Sequence, residues 1–189
     1  MPRGARHVGL DVLEGLEHGT PTQITSLMSD PRAAHEHLGD GKGAEMFLGQ
    51  YRGFVALEAG RRGYGRMFAD LADAASRPAL VHCMGGKDRT GWAAASLQLL
   101  LGVPYGDVLE DYLASNTHLG PGFERFFADF EERGGDPNLL ARFFWVRPDY
   151  LEAALDEVTR TYGTMEGYFA EGLGLGDAGV AELREAFLE

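Results

Sequence analysis

The sequence predicts an α/β fold in which helices dominate. Three observations lead there. Two short runs, HVGLDVL at 7–13 and PALVHC at 78–83, have the apolar, β-branched character of strands. A long succession of later segments repeats apolar residues at helical spacing. No internal repeat, low-complexity tract or long linker divides the 189 residues, so 1–189 reads as a single domain.

The elements follow in order. After the first strand, residues 18–43 are rich in Gly, Pro, Asp, Thr and His and read as a loop holding at most one short helix. From 44 to 57, Phe47, Tyr51, Phe54 and Val55 recur at helical spacing, and Gly60 and Gly63 break the pattern. Tyr64, Met67, Phe68, Leu71 and Ala75 mark a second amphipathic helix, stopped by Pro78. The strand 78–83 enters the turn MGGKDR, and a mostly apolar helix runs from Thr90 to about Leu101, ended by Gly102. Further helices are predicted at 104–116, 121–133, 137–144, 148–162, 164–173 and 177–188. That at 148–162 is the most fully signed: Pro148 stands at its first position, Asp149 and Glu152 in its first turn, Arg160 near its end and Gly163 just beyond.

Composition excludes several classes. Hydrophobic residues make up 44% and charged residues 24%, values of a globular chain and not a disordered one. No apolar run approaches the roughly 18 residues that cross a bilayer. The opening MPRGARHVGLDVLEGLEHG has no signal-peptide core, so a cytoplasmic location is the default, with export left open. Residues 1–95 carry 11 basic and 11 acidic side chains, whereas 96–189 carry 6 and 18, which accounts for the whole net charge of −12. An acidic chain is a poor partner for nucleic acid. It is a weaker argument against a lipid surface. A single cysteine, Cys83, excludes an intrachain disulfide and any multi-cysteine metal cluster. His7, His18, His35, His37 and His118 show no ligand spacing and read as surface or capping residues, so neither metal nor other cofactor is expected. Oligomeric state is not legible.

The stretch that carries chemistry is His82-Cys83-Met84-Gly85-Gly86-Lys87-Asp88-Arg89-Thr90-Gly91, between the apolar strand and a helix. A loop wrapped at a helix N-terminus turns successive backbone N–H groups into one bowl, and the helix dipole adds positive potential there. Gly85 and Gly86 allow the left-handed angles and close approach that such a bowl needs. Cys83 stands at its mouth, where a thiolate is favoured for the same reason as a phosphate. Arg89 can present two parallel N–H groups to two phosphate oxygens. Thr90 can donate its hydroxyl to the sulfur, and His82 can fix the loop by hydrogen bonding. His-Cys, Arg six residues after the Cys, and Thr-Gly after the Arg co-occur by chance on the order of once in 10⁵.

That loop, HC-x5-R-T-G, resembles the signature of the cysteine-based protein tyrosine and dual-specificity phosphatases, and the full HCMGGKDRTG is similar to their bacterial and fungal branch. Asp111-Tyr112-Leu113-Ala114-Ser115-Asn116 and the C-terminal stretch from Val146 to Leu188 are similar to family segments too. The resemblance implies a parallel sheet with flanking helices, helix-rich, whose N-terminal part this sequence lacks. Relatives begin with several dozen further residues that include an Asn-Phe-Arg-Asp-Leu-Gly-Gly-like stretch. Either the start is truncated, or the sheet edge is covered in another way.

The same resemblance implies Cys83 as nucleophile, Arg89 as phosphate clamp, and the amides from Met84 to Arg89, those of Gly85 and Gly86 among them, as the phosphate cradle. Lys87 is similar to a residue of phosphoinositide 3-phosphatases and either binds substrate or faces solvent. Asp88 resembles the myotubularin loop and is either the general acid or a brace for the loop. Asp30 and Asp40 are the alternative acids, since no Trp-Pro-Asp loop is present. The expected substrate is a phosphorylated protein, first of all at tyrosine, with phosphoserine, phosphothreonine and phosphoinositides as extensions. A catalytically impaired phosphate-binding module is the alternative from another class. Arg61, Arg62 and Arg66 make either a basic rim or a solvated helix face. Phe123, Phe126, Phe127, Phe130, Phe143, Phe144 and Trp145 make either core or a mobile helical lid.

Overall fold

Apolar positions at helical spacing build ten α-helices in the computed structural model, which describes residues 4–16 and 21–188. They are α1 (Pro21–Ser29), α2 (Pro31–Leu38), α3 (Lys42–Ala56), α4 (Glu58–Ala72), α5 (Asp88–Leu100), α6 (Tyr105–Glu132), α7 (Pro137–Phe144), α8 (Pro148–Tyr162), α9 (Met165–Gly167) and α10 (Gly176–Phe187). A π-helical turn, Tyr168–Gly172, continues α9. Among the described residues no helix is long and apolar enough to cross a membrane.

An aromatic layer joins α3 to α7 and α8. Phe47 stacks on Tyr150 with ring centres 5.2 Å apart and meets Phe143 edge-on at 5.1 Å. Tyr51, wholly buried, packs on Phe54 and Tyr150. A second layer seats Trp92 of α5 against Tyr168, and Phe68 of α4 against Phe169 at 4.7 Å. These rings are large apolar bodies whose offset and edge-on contacts add to area burial. The first turn of α5 thus opens where α3, α4 and α6 converge.

The parallel sheet predicted above is absent: among the described residues none forms a strand. Residues of the segments 7–13 and 78–83 instead line one groove of about 690 Å³. No backbone hydrogen bond joins either to another segment among the described residues. Apolar, β-branched composition makes a strand only when a neighbour lies about 4.8 Å away to bond its edges. Lacking one, Leu80 is left 87% exposed.

Three helix boundaries also differ, each for a local reason. In the stretch 18–43, Pro21 and Pro31 begin helices instead of breaking them, because the first turn needs no N–H. Asp30 caps α2 by accepting from the backbone N–H of Arg32 and Ala33 at 2.9 and 3.2 Å. The predicted break at 117–120 does not occur, and α6 runs unbroken through Pro121. There Trp145 packs against Gly120, so close that a Cβ would sit 3.1 Å from the indole, a contact that helps offset the hydrogen bond a proline cannot donate. Gly60 and Gly63, expected as breakers, lie inside α4 because its neighbours come too near for a side chain: a Cβ on Gly63 would stand 2.6 Å from Val12.

Glycine substitutions should therefore split by packing. Gly49→Ala, on an exposed turn of α3 with open space around it, should gain about 0.5–1 kcal/mol in a thermal melt. Gly65→Ala should lose about 1–3 kcal/mol, because its methyl would strike the Leu173 carbonyl oxygen.

Candidate functional site

The loop takes its shape from one residue. Gly86 has φ +68°, a left-handed value, whereas the φ of Gly85 is not positive, so of the two glycines only Gly86 is demanded by conformation. Its reversal lets α5 begin at Asp88 directly behind the sulfur. The backbone N–H groups of Gly86 and Thr90 and the Thr90 side chain lie near enough to Cys83 Sγ to act on its charge, and the Thr90 hydroxyl oxygen is itself buried with no hydrogen-bond partner among the described residues. Burial of the half-buried thiol pushes its pKa up; the Thr90 hydroxyl, the Thr90 N–H, the Arg89 charge and the Gly86 N–H outweigh that, and the net shift is downward. His82, exposed, donates through Nδ1 to the Cys83 carbonyl oxygen at 3.0 Å, since that oxygen can only accept.

Arg89 is half-buried beside Cys83 and makes no ion pair among the described residues. Its carbonyl oxygen accepts from the Tyr64 hydroxyl at 3.2 Å, which ties the first turn of α5 to α4. Tyr64, Val81, His82, Cys83, Arg89 and Thr90 share a wall of the groove. Met84, at the outer lip of the loop, is 76% exposed. Gly91 faces the ring of Tyr112 so closely that a Cβ would lie 3.0 Å from it, so this glycine serves helix contact and not the bowl.

Lys87 and Asp88 turn inward. Lys87 is only 6% exposed, and its ammonium stands 5.9 Å over the Phe47 ring. Its Nζ meets Asp88 at 3.1 Å from Oδ1 and 2.9 Å from Oδ2. Asp88 Oδ1 also accepts from the Tyr51 hydroxyl at 3.0 Å, and the Tyr51 and Tyr112 hydroxyls lie 2.7 Å apart. All of this is one buried network.

The other candidates have local partners. Asp30 is the α2 cap, and Asp40 lies exposed in the turn before α3 at φ 53°. Arg62 pairs with Glu14 and Glu58, and Arg66 with Asp70, on an exposed face of α4, while Arg61 is half-buried. His7, His35, His37 and His118 are exposed, and His18 lies outside the described residues. In the aromatic stretch, Phe130 and Phe143 are core, whereas Phe123 and Phe127 gather with Phe126 around Phe144, and Phe123 and Phe127 also meet Trp145. Composition alone missed Tyr51, Tyr64, Tyr112 and Asn116 as parts of the site. Asn116 makes two bonds to Val146, at 2.9 and 2.8 Å, and so pins the α7–α8 link to α6. The segment Asp111–Asn116 carried a signal for the last two; nothing local distinguished Tyr51 and Tyr64 from ordinary core tyrosines.

Comparison with known proteins gives the same direction. A model of the tyrosine phosphatase family matches residues 1–189. A protein of Cupriavidus necator, whose name assigns it provisionally to the tyrosine-protein phosphatases, is 34% identical over 109 residues, covering 58% of this chain and 39% of that protein. A protein of Mycobacterium tuberculosis named triple specificity protein phosphatase is 31% identical over 151 residues, 74% of this chain and 53% of that one. The matches thus span about half, or less, of the length of these relatives.

The thiol offers a direct check. Its reactivity toward iodoacetamide, followed against pH, should rise with a midpoint below that of an ordinary cysteine. Thr90→Val removes the strongest of the lowering contacts, so the midpoint should move up and labelling at pH 7 should slow about three- to tenfold.

Proposed function

The chain belongs to the tyrosine phosphatase family, and on that premise we propose that it hydrolyses phosphate monoesters through a phosphocysteine intermediate, with phosphotyrosine in proteins as the first substrate. The observation that carries this is the sulfur of Cys83 facing the Gly86 and Thr90 N–H groups at the start of α5, with the Arg89 charge beside it. The thiolate attacks phosphorus in line, an S–P bond forms, the P–O bond to the leaving group breaks, and the departing oxygen takes a proton from solvent water, the hydroxide left behind taking up the proton released when water hydrolyses the intermediate. Loop amides and the Arg89 guanidinium hold the equatorial oxygens while charge shifts across them. Water then attacks phosphorus, the S–P bond breaks, and inorganic phosphate leaves a regenerated thiolate. Phosphoserine, phosphothreonine and phosphoinositides extend the proposal, on the resemblance of the loop and the name of the mycobacterial relative.

One observation favours a second reading, a phosphate-binding module without turnover: the segment that leads into Cys83 has no hydrogen-bonded neighbour among the described residues, so the nucleophile is held chiefly from the α5 side. Steady-state assay on p-nitrophenyl phosphate separates the two, with turnover expected. Cys83→Ser should abolish that turnover and keep phosphate binding, vanadate should inhibit, and chelators should leave the rate unchanged. Arg89→Lys, which keeps the charge but loses the paired N–H groups, should cost on the order of 10²–10³ in kcat/KM. Activity that vanished on chelation would refute the mechanism.

A further inference from the structure

Behind the loop runs a chain of hydrogen bonds with a fixed direction. The Tyr51 hydroxyl has one proton, and it goes to Asp88 Oδ1 at 3.0 Å. The 2.7 Å contact between the two tyrosines must then be donated by Tyr112. From the other side the Lys87 ammonium reaches both Asp88 oxygens. Three groups thus end on one carboxylate: Tyr112 through Tyr51, Tyr51 directly, and Lys87 from the far side. Burial pushes the pKa of both phenols up, so each keeps its proton and remains a donor throughout the range where the thiolate works.

Resting on the phosphatase reading above, we infer that Tyr51 and Tyr112 are positioning residues: they hold Asp88 and Lys87 turned into the core, and through them fix the backbone that aims the loop N–H groups and the Arg89 guanidinium. The sequence order explains why the hold matters. Lys87 and Asp88 are the two residues between the left-handed Gly86 and Arg89, so any rotation of their backbone re-aims the clamp. The geometry also gives Asp88 a task other than proton donation. Its oxygens accept from an ammonium and a phenol, both on the core side of the loop. Tyr64 adds an independent tie one residue on, at the Arg89 carbonyl.

The test uses the whole chain and three variants that keep the rings in place: Tyr51→Phe, Tyr112→Phe and the double. Kinetics on p-nitrophenyl phosphate, titration of Cys83 by iodoacetamide, and thermal melting are read on each. Tyr51→Phe should lower kcat/KM about tenfold and shift the Cys83 titration upward, as the loop N–H groups lose their aim. Tyr112→Phe should lose only a few-fold. Because Tyr112 acts through Tyr51, the double variant should be no worse than Tyr51→Phe alone. Losses that multiply, or a Tyr51→Phe protein that melts earlier but keeps kcat/KM and the thiol titration of the parent, would overturn the inference. The titration reads the relay even without turnover. A parent chain that does not hydrolyse the substrate strikes the phosphatase reading, while an active parent with an indifferent Tyr51→Phe strikes only the relay.

Discussion

Burial and the N–H groups at the head of α5 pull the Cys83 thiol in opposite directions. Burial of a thiol favours the neutral form, and Cys83 is half-buried. The N–H groups of Gly86 and Thr90, the Thr90 hydroxyl and the Arg89 charge favour the anion, and their joint effect is larger. That balance holds only while several donors point at one spot. Gly86 supplies the reversal, and three tyrosines from α3, α4 and α6 supply the rigidity, each ending within a residue or two of the bowl. The helical core can be read as the support for that single convergence: the residue that bonds Asp88, Tyr51, is also packed on Tyr150 in the α3–α8 layer.

Most helices were legible because each needs only its own sequence. A 3.6-residue rhythm, Pro148 at the first position and Gly163 after the last fix α8 without reference to anything distant. The errors lie where a partner decides. The run PALVHC has the composition of a strand, yet a strand is a relation between two segments, and composition cannot guarantee that the second is in place. Gly60 and Gly63 looked like breakers, but each marks a close approach, by Phe54 or Val12, a fact that exists only in three dimensions. Pro21 and Pro31 erred in the other sense, since the same ring that ends a helix is well suited to begin one.

The site divides along the same line. Cys83, Arg89, Thr90 and Gly86 act through neighbours within seven residues, so their spacing already carries the geometry. Lys87 and Asp88 left two readings each, because their direction is set by Tyr51, 37 positions earlier, and by Phe47 beneath the ammonium. A one-residue difference in backbone rotation separates a lysine aimed at substrate from one folded under the loop. No local pattern encodes that choice; a buried aromatic face and a phenol hydroxyl do.

The inward turn also resolves an apparent conflict of charge. A chain with net charge −12 is an unpromising receptor for a phosphate dianion. Screening limits what remote charges contribute: at physiological salt two unit charges 20 Å apart in water interact by less than about 0.1 kcal/mol, whereas charges in contact near a protein surface exchange about 4 kcal/mol. The acidic excess sits in the second half of the chain, on helices whose outer faces are exposed, and the bowl is governed by its own first few ångströms. Within that range the carboxylate that lies in the loop itself is Asp88, and it is the one bound on both oxygens by Lys87, with the Tyr51 proton added on Oδ1. A carboxylate left free next to Arg89 would compete with phosphate for the guanidinium and oppose the thiolate. Paired and drawn into the core, it leaves the Arg89 charge for the incoming anion.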